Sequence, residues 1–157
     1  MWEALQHTGW VETLATSRWL YALVTVVHYS TVLFCVGTIV LLDLRILGAA
    51  YRNQTPSVLA EQLRPWTWIG LAALAVSGFL LFATEAGSFA TATPFRLKIA
   101  VVVLAVVSAL ATEWSLPKWD RAPAMPVTAK VVALISLLLW LGAILVSVEV
   151  PALTGLG

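Results

Sequence analysis

Four stretches of this 157-residue chain are each long and apolar enough to cross a bilayer, which limits the fold before any other feature is weighed. They run near residues 19–42, 66–83, 95–111 and 130–148. About 20 residues of helix, rising 1.5 Å each, span ~30 Å of hydrocarbon. No water reaches that depth to satisfy backbone amides and carbonyls, so each stretch is predicted to be a helix. The expected fold class is therefore all-α: an integral membrane four-helix bundle forming one transmembrane domain over residues 1–157. Composition agrees. With 61% hydrophobic and 11% charged residues, the chain lacks the polar surface a water-facing globule needs. A net charge of +1 gives no basis for binding nucleic acid, which leaves the lipid bilayer as the expected partner.

Residues 1–17 hold Glu3 and Glu12 but no Lys or Arg, so the first apolar run is not expected to be a cleaved signal peptide. They are predicted to form a short N-terminal interfacial helix, with Trp2, Leu5, Trp10, Val11 and Leu14 against lipid and a break at Thr8-Gly9. Ser17 can cap the first span, and Pro65 stands where the second is expected to begin. Thr93-Pro94 offers a cap and a first-turn proline to the third span. Thr128 can cap the fourth, which Pro151 and Gly155 are expected to stop. Arg45, Arg52, Arg64, Lys118, Arg121 and Lys130 fall in or beside the first and third connections, against Arg18, Arg96 and Lys98 on the opposite side. The positive-inside rule then puts those connections in the cytoplasm and both termini outside. The tryptophans mark matching boundaries, Trp19 at the outer interface and Trp66, Trp68, Trp114 and Trp119 at the inner one.

Within this apolar background His28 is the only imidazole in any span. Ionisable groups at membrane depth are costly, by about 2.5 kcal/mol or more when charged, and are functional candidates by default. On a helix, Tyr21, Thr25, Val32, Cys35, Ile39 and Asp43 lie within about 60° of His28, a face polar enough to look into the bundle. Gly37 falls on the opposite side, where another helix or a tail can approach. Lys98 begins the third span one turn inside its boundary, and its stem can carry the amine along the helix. His28 and Lys98 are thus both expected in the outer half of the membrane, facing one cavity. Glu149 or Glu85 can neutralise Lys98 or Arg96. The alternatives are a neutral His28 bonded to a neighbouring helix and a Lys98 reaching out to headgroups. Near the other face Asp43, Arg45, Arg64 and Glu113 are expected to form an anchoring charge network.

Cofactor options are limited by counting. Bis-histidine haem needs two facing imidazoles, and His7 precedes the spans, so haem b on His28 would need Lys98, water, His7 or His28 of a second subunit opposite. Copper could use His28 and the single cysteine Cys35, seven residues on, but two side chains are an incomplete site, and Met125 lies in a distant loop. No phosphate loop, nucleophile elbow or zinc spacing is present.

His28, Gly37 and Asp43-Leu-Arg45-Ile-Leu-Gly48 resemble the first helix of an uncharacterised bacterial four-helix membrane family known only as a domain of unknown function. Ser17-Arg-Trp-Leu-Tyr21, Ser77-Gly78-Phe-Leu-Leu-Phe82, Pro94-Phe95-Arg-Leu-Lys98 and Ser136-Leu-Leu-Leu-Trp140 extend the likeness over nearly the whole chain. Two departures stand out. The family's glutamate three residues before the histidine is Thr25 here, and its Gly-Arg ending of the last helix is Ser147-Val148-Glu149. The plan is more distantly similar to the copper-resistance D family and to four-helix membrane protoporphyrinogen oxidases. In the oxidases a first-helix histidine binds haem b and a third-helix lysine is needed. That resemblance implies haem b on His28, with Lys98 as second ligand or propionate partner and with Tyr21, Thr25 and Cys35 nearby. The oxidases' aromatic, arginine-rich signature after the histidine is not reproduced. The leading expectation is a haem-b-binding redox membrane protein. The runner-up is a non-enzymatic accessory subunit of a larger membrane complex or homodimer, and copper transport is third.

Overall fold

The computed structural model describes residues 2–154, with side-chain surroundings described through residue 147. Among these residues the regular elements are helices: α1 (Trp2–Gln6), α2 (Gly9–Thr16), α3 (Arg18–Ile46), α4 (Pro56–Thr84), α5 (Ala86–Thr91), α6 (Thr93–Trp119) and α7 (Val127–Thr154). Helices α3, α4, α6 and the Val127–Ser147 part of α7 are long and apolar enough to cross a membrane. The protein is an integral membrane four-helix bundle. Large apolar side chains such as Leu23, Val26, Leu33, Val103, Leu138 and Leu145 are exposed along the outer faces, where a bilayer would cover them.

The spans are longer than hydropathy predicts because local chemistry sets their ends. Ser17 Oγ accepts the Leu20 amide and starts α3 as expected. Helix α4 begins ten residues before the predicted boundary (66 to Pro56), where Thr55 Oγ1 accepts the Val58 amide and Pro56 opens the first turn. Pro65 therefore sits inside α4 rather than at its start. The N-cap of α6 is Ala92, without a side-chain bond, so Thr93 and Pro94 are already helical. In α7 the carbonyl of Pro126 accepts the Ala129 and Lys130 amides, and Thr128 lies within the first turn. Helix α7 continues through Pro151 to Thr154. Gly155 lies outside the described residues. Between α3 and α4, Gly48 takes a φ of +77°, which a residue without Cβ adopts at no steric cost.

Helix α3 packs on α4 and α6 on α7, and the two hairpins join mainly where α3 meets α7, leaving α3 and α6 diagonal to each other. One core layer lies at the end carrying the α3–α4 and α6–α7 connections, built from Leu42, Ile46, Ala60, Leu116, Trp119, Ala129 and Ala133. Trp119 is thus a core residue and not an interfacial one, whereas Trp19, Trp66, Trp68 and Trp114 are exposed. A second layer, at mid-depth, joins Cys35, Val36, Ile39, Ala105 and Trp140. At that level α3 and α4 approach most closely, because a Cβ on Gly70 would stand 3.0 Å from Cys35 Cβ and 3.4 Å from its Cα. Gly37, expected to admit a neighbour, has nothing within 4 Å of its Cβ position.

The N-terminal segment is two short helices and not one, with the Thr8 hydroxyl bonded to the carbonyl of Leu5 at the break. Val11 and Leu14 of α2 turn away from lipid and are buried, with α2 packed on α3 and α4. Trp2 of α1 meets Phe82 edge-on at 5.5 Å, and Phe82, Phe95 and Phe89 stack in succession. Gln6 Oε1 accepts the Gly87 amide, tying α1 to α5. This small aromatic assembly closes the N-terminal end of the bundle.

The crossing gives a direct test. Gly70→Leu should lower the thermal stability of the detergent-purified protein by about 1–3 kcal/mol, the usual cost of overpacking. Gly37→Leu should leave it unchanged within about 0.5 kcal/mol, as expected where a substitution touches nothing.

Candidate functional site

His28 lies in α3 two turns toward the N-terminal end from the Cys35–Gly70 crossing. The tight crossing holds α4 beside α3 here too. Ser77 Oγ is 3.0 Å from His28 Nδ1, and a Cβ on Gly78 would stand 3.2 Å from His28 Cε1. A serine next to a glycine thus gives the imidazole one polar partner and one flat backbone surface.

The roles in this contact follow the imidazole tautomer, and the distances favour one direction, since Ser77 Oγ is nearer to the Ala73 carbonyl than to Nδ1. The single hydroxyl proton of Ser77 is donated to the carbonyl of Ala73 at 2.7 Å, so Ser77 Oγ meets Nδ1 with a lone pair. His28 then donates from Nδ1, and in the neutral ring Nε2 carries the free lone pair. This is the arrangement by which proteins fix the tautomer of a ligating or proton-accepting imidazole. His28 is half-buried, and Tyr29 stands against its ring at 6.0 Å and 64°.

Lys98, on α6 diagonally across the bundle, lies close enough for its ammonium to bear electrostatically on the imidazole. The other residues singled out beside His28 are engaged elsewhere. The Thr25 hydroxyl is donated to its own helix at Tyr21 O, 2.8 Å away, and Tyr21 is exposed. Cys35 is buried, and its Sγ is directed at the Thr67 carbonyl of α4 at 4.0 Å. It belongs to the helix crossing. His7 is exposed and faces Glu12 at 3.4 Å. Arg96 donates from Nε and Nη2 to the carbonyl of Ala90, and Glu85 forms the junction of α4 and α5. The Glu149 side chain lies outside the described residues.

The charged residues near the other end do not form one network. Arg64 Nε and Glu113 Oε2 pair at 3.5 Å, while Arg45 turns away to donate to the Gln54 carbonyl at 2.5 Å and braces the α3–α4 connection. Asp43 is 1% exposed, with Ser136 beside it. At the same end the Asp120 carboxylate accepts the Ser57 amide at 3.0 Å, joining the end of α6 to the positive start of α4.

Sequence reasoning assigned no role to Ser77, Gly78, Ser136 or Trp140. A hydroxyl adjoining a glycine within a span is the signal that marks Ser77-Gly78, because small and polar residues occupy helix–helix contacts in membranes.

Fold and site together define an integral membrane helical bundle with one imidazole held at depth by a neighbouring helix. The chain belongs to a family of unknown function, DUF6644, whose family model matches residues 15–149. No curated protein and no solved structure matches it significantly.

The His28–Ser77 bond is checked by a double-mutant cycle on thermal stability. A net hydrogen bond contributes about 0.5–1.5 kcal/mol, so His28→Ala and Ser77→Ala should be coupled by about 1 kcal/mol. Strict additivity would contradict the bond.

Proposed function

We propose that the protein is a haem-b-binding redox membrane protein in which His28 is the axial ligand. The observation that carries the reading is the His28–Ser77–Ala73 chain, because it spends the Nδ1 proton and keeps the Nε2 lone pair available at membrane depth. The donor set fits one axial position on haem b. His28 supplies the nitrogen, and Lys98 supplies a nearby cation for a propionate, or an amine for the second position. Haem b, when bound, supplies one-electron iron chemistry. The protein's own part is to fix the ring by Ser77, to keep its edge flush on Gly78 and to hold water away with apolar helices.

The distant likeness to four-helix membrane protoporphyrinogen oxidases, with His28 and Lys98 on corresponding helices, supports the same reading. Copper transport has less support. Among the described residues no three His, Cys, Asp or Glu side chains gather, and Cys35 faces α4. The excess of Lys and Arg in the first and third connections favours both termini outside, and the likeness to a bacterial family favours a bacterial inner membrane.

A second reading rests on the same bond. An imidazole that ties α3 to α4 suffices for a non-enzymatic accessory subunit of a larger membrane complex. The two readings separate in one absorption spectrum. Protein purified in detergent after expression with ample haem should show a Soret band, lost in His28→Ala and kept in Cys35→Ala. A colourless wild-type protein would end the haem reading. Copurification of one stoichiometric partner from native membranes would then support the accessory one.

A further inference from the structure

A second polar site lies some 22 Å along α3 from His28, fifteen residues on at 1.5 Å each, and it is independent of the haem reading. It is a cavity of about 30 Å³ between α3, α4 and α6, lined by Asp43, Arg64 and Glu113 and by the hydroxyls of Thr38, Thr67 and Thr112. A space of that size admits water.

Its chemistry is lopsided. Thr38 donates its only hydroxyl proton to the Cys35 carbonyl at 2.7 Å, and Thr112 donates to Ser108 O at 3.0 Å. Thr67 spends its proton on Thr38 Oγ1 at 2.9 Å or on Leu63 O at 3.1 Å. All three therefore turn lone pairs inward. Arg64 is committed to Glu113. Asp43 Oδ2 is fully buried without a hydrogen-bond partner, and so is the neighbouring Ser136 Oγ, on a residue 0% exposed. Of the two carboxylates, Glu113 has the guanidinium, and Asp43 has beside it only the neutral Ser136 hydroxyl. Helix α7 adds no ionisable group to the lining, and Arg45 of α3 is engaged with Gln54. An unneutralised buried carboxylate at a membrane boundary is costly.

We propose that this cavity is a proton-binding site, in which Asp43 holds a proton taken from water at the adjacent membrane surface while Arg64 neutralises Glu113. The proton removes the unneutralised charge and gives the Asp43 carboxyl an O–H to donate to the threonine lone pairs, and its transfer makes and breaks O–H bonds only.

Infrared spectroscopy on the full chain, in a detergent free of ester groups, reads this directly. The sequence has two aspartates, Asp43 and Asp120, so aspartate labelled with ¹³C at its side-chain carboxyl reports on these alone. At pH 7 the labelled protein should show an isotope-shifted carboxylic-acid C=O band that Asp43→Asn abolishes and Glu113→Gln leaves in place. Absence of that band in the wild type would overturn the proposal, as would its survival in Asp43→Asn. A band that emerges only when Na⁺ is replaced by choline would also overturn it, by making a metal cation the occupant. If Asp43→Asn fails to fold, acid–base titration of labelled Asp120→Asn decides, because Asp43 is then the one aspartate left. A carboxylic-acid band persisting at pH 7 supports the site, and a fully ionised aspartate refutes it.

Discussion

Where no water is available, a polar side chain must find its partner within the protein, and this rule accounts for the bundle's construction. Its main expression is the α3–α4 seam. The missing Cβ at Gly70 lets α4 lie directly on Cys35, and two turns further on the same closeness brings Ser77 within hydrogen-bond reach of His28. Separate those helices by a side chain and the imidazole loses its partner at depth. Packing at the crossing and chemistry at the histidine are one constraint expressed at two levels.

The polar groups segregate by depth. Toward the N-terminal end lie His28 on α3 and Lys98 on α6, at an end where α1, α2 and α5 pack on the bundle. Toward the opposite end lie Asp43, the Arg64–Glu113 pair and a small cavity. Between them the layer of Cys35, Val36, Ile39, Ala105 and Trp140 is apolar, apart from the buried Trp140 Nε1, which has no hydrogen-bond partner. A packed layer thus divides the two ionisable sites.

Much of this was legible in the sequence, and what was missed has a physical cause. Hydropathy marks where hydrocarbon begins but not where a helix ends, so α4 was placed too late: Thr55 and Pro56 begin it in the polar region, and Pro65 is accommodated within it. Helical periodicity placed His28 on an inward face, and residue type made it the group to examine. Periodicity cannot say which helix is the neighbour, so Gly37 looked like the point of approach when Gly70 and Gly78 are. It put Cys35 on the histidine face correctly, yet Cys35 is taken up by α4. Arg45 reads as part of a charge cluster until the turn at Gly48 brings the Gln54 carbonyl to it. Ser77 was in view as part of a motif. Its role depends on a contact 49 residues apart in sequence, which no local pattern encodes.

The chemistry at depth turns on the state of one ring, His28. Solid-state ¹⁵N NMR of histidine-labelled protein in bilayers distinguishes the two nitrogens, and His7→Gln leaves His28 as the only histidine. His28 should give a single population with the proton on Nδ1 and none on Nε2. A proton on Nε2, or an equal mixture of the two tautomers, would contradict a ring fixed by Ser77.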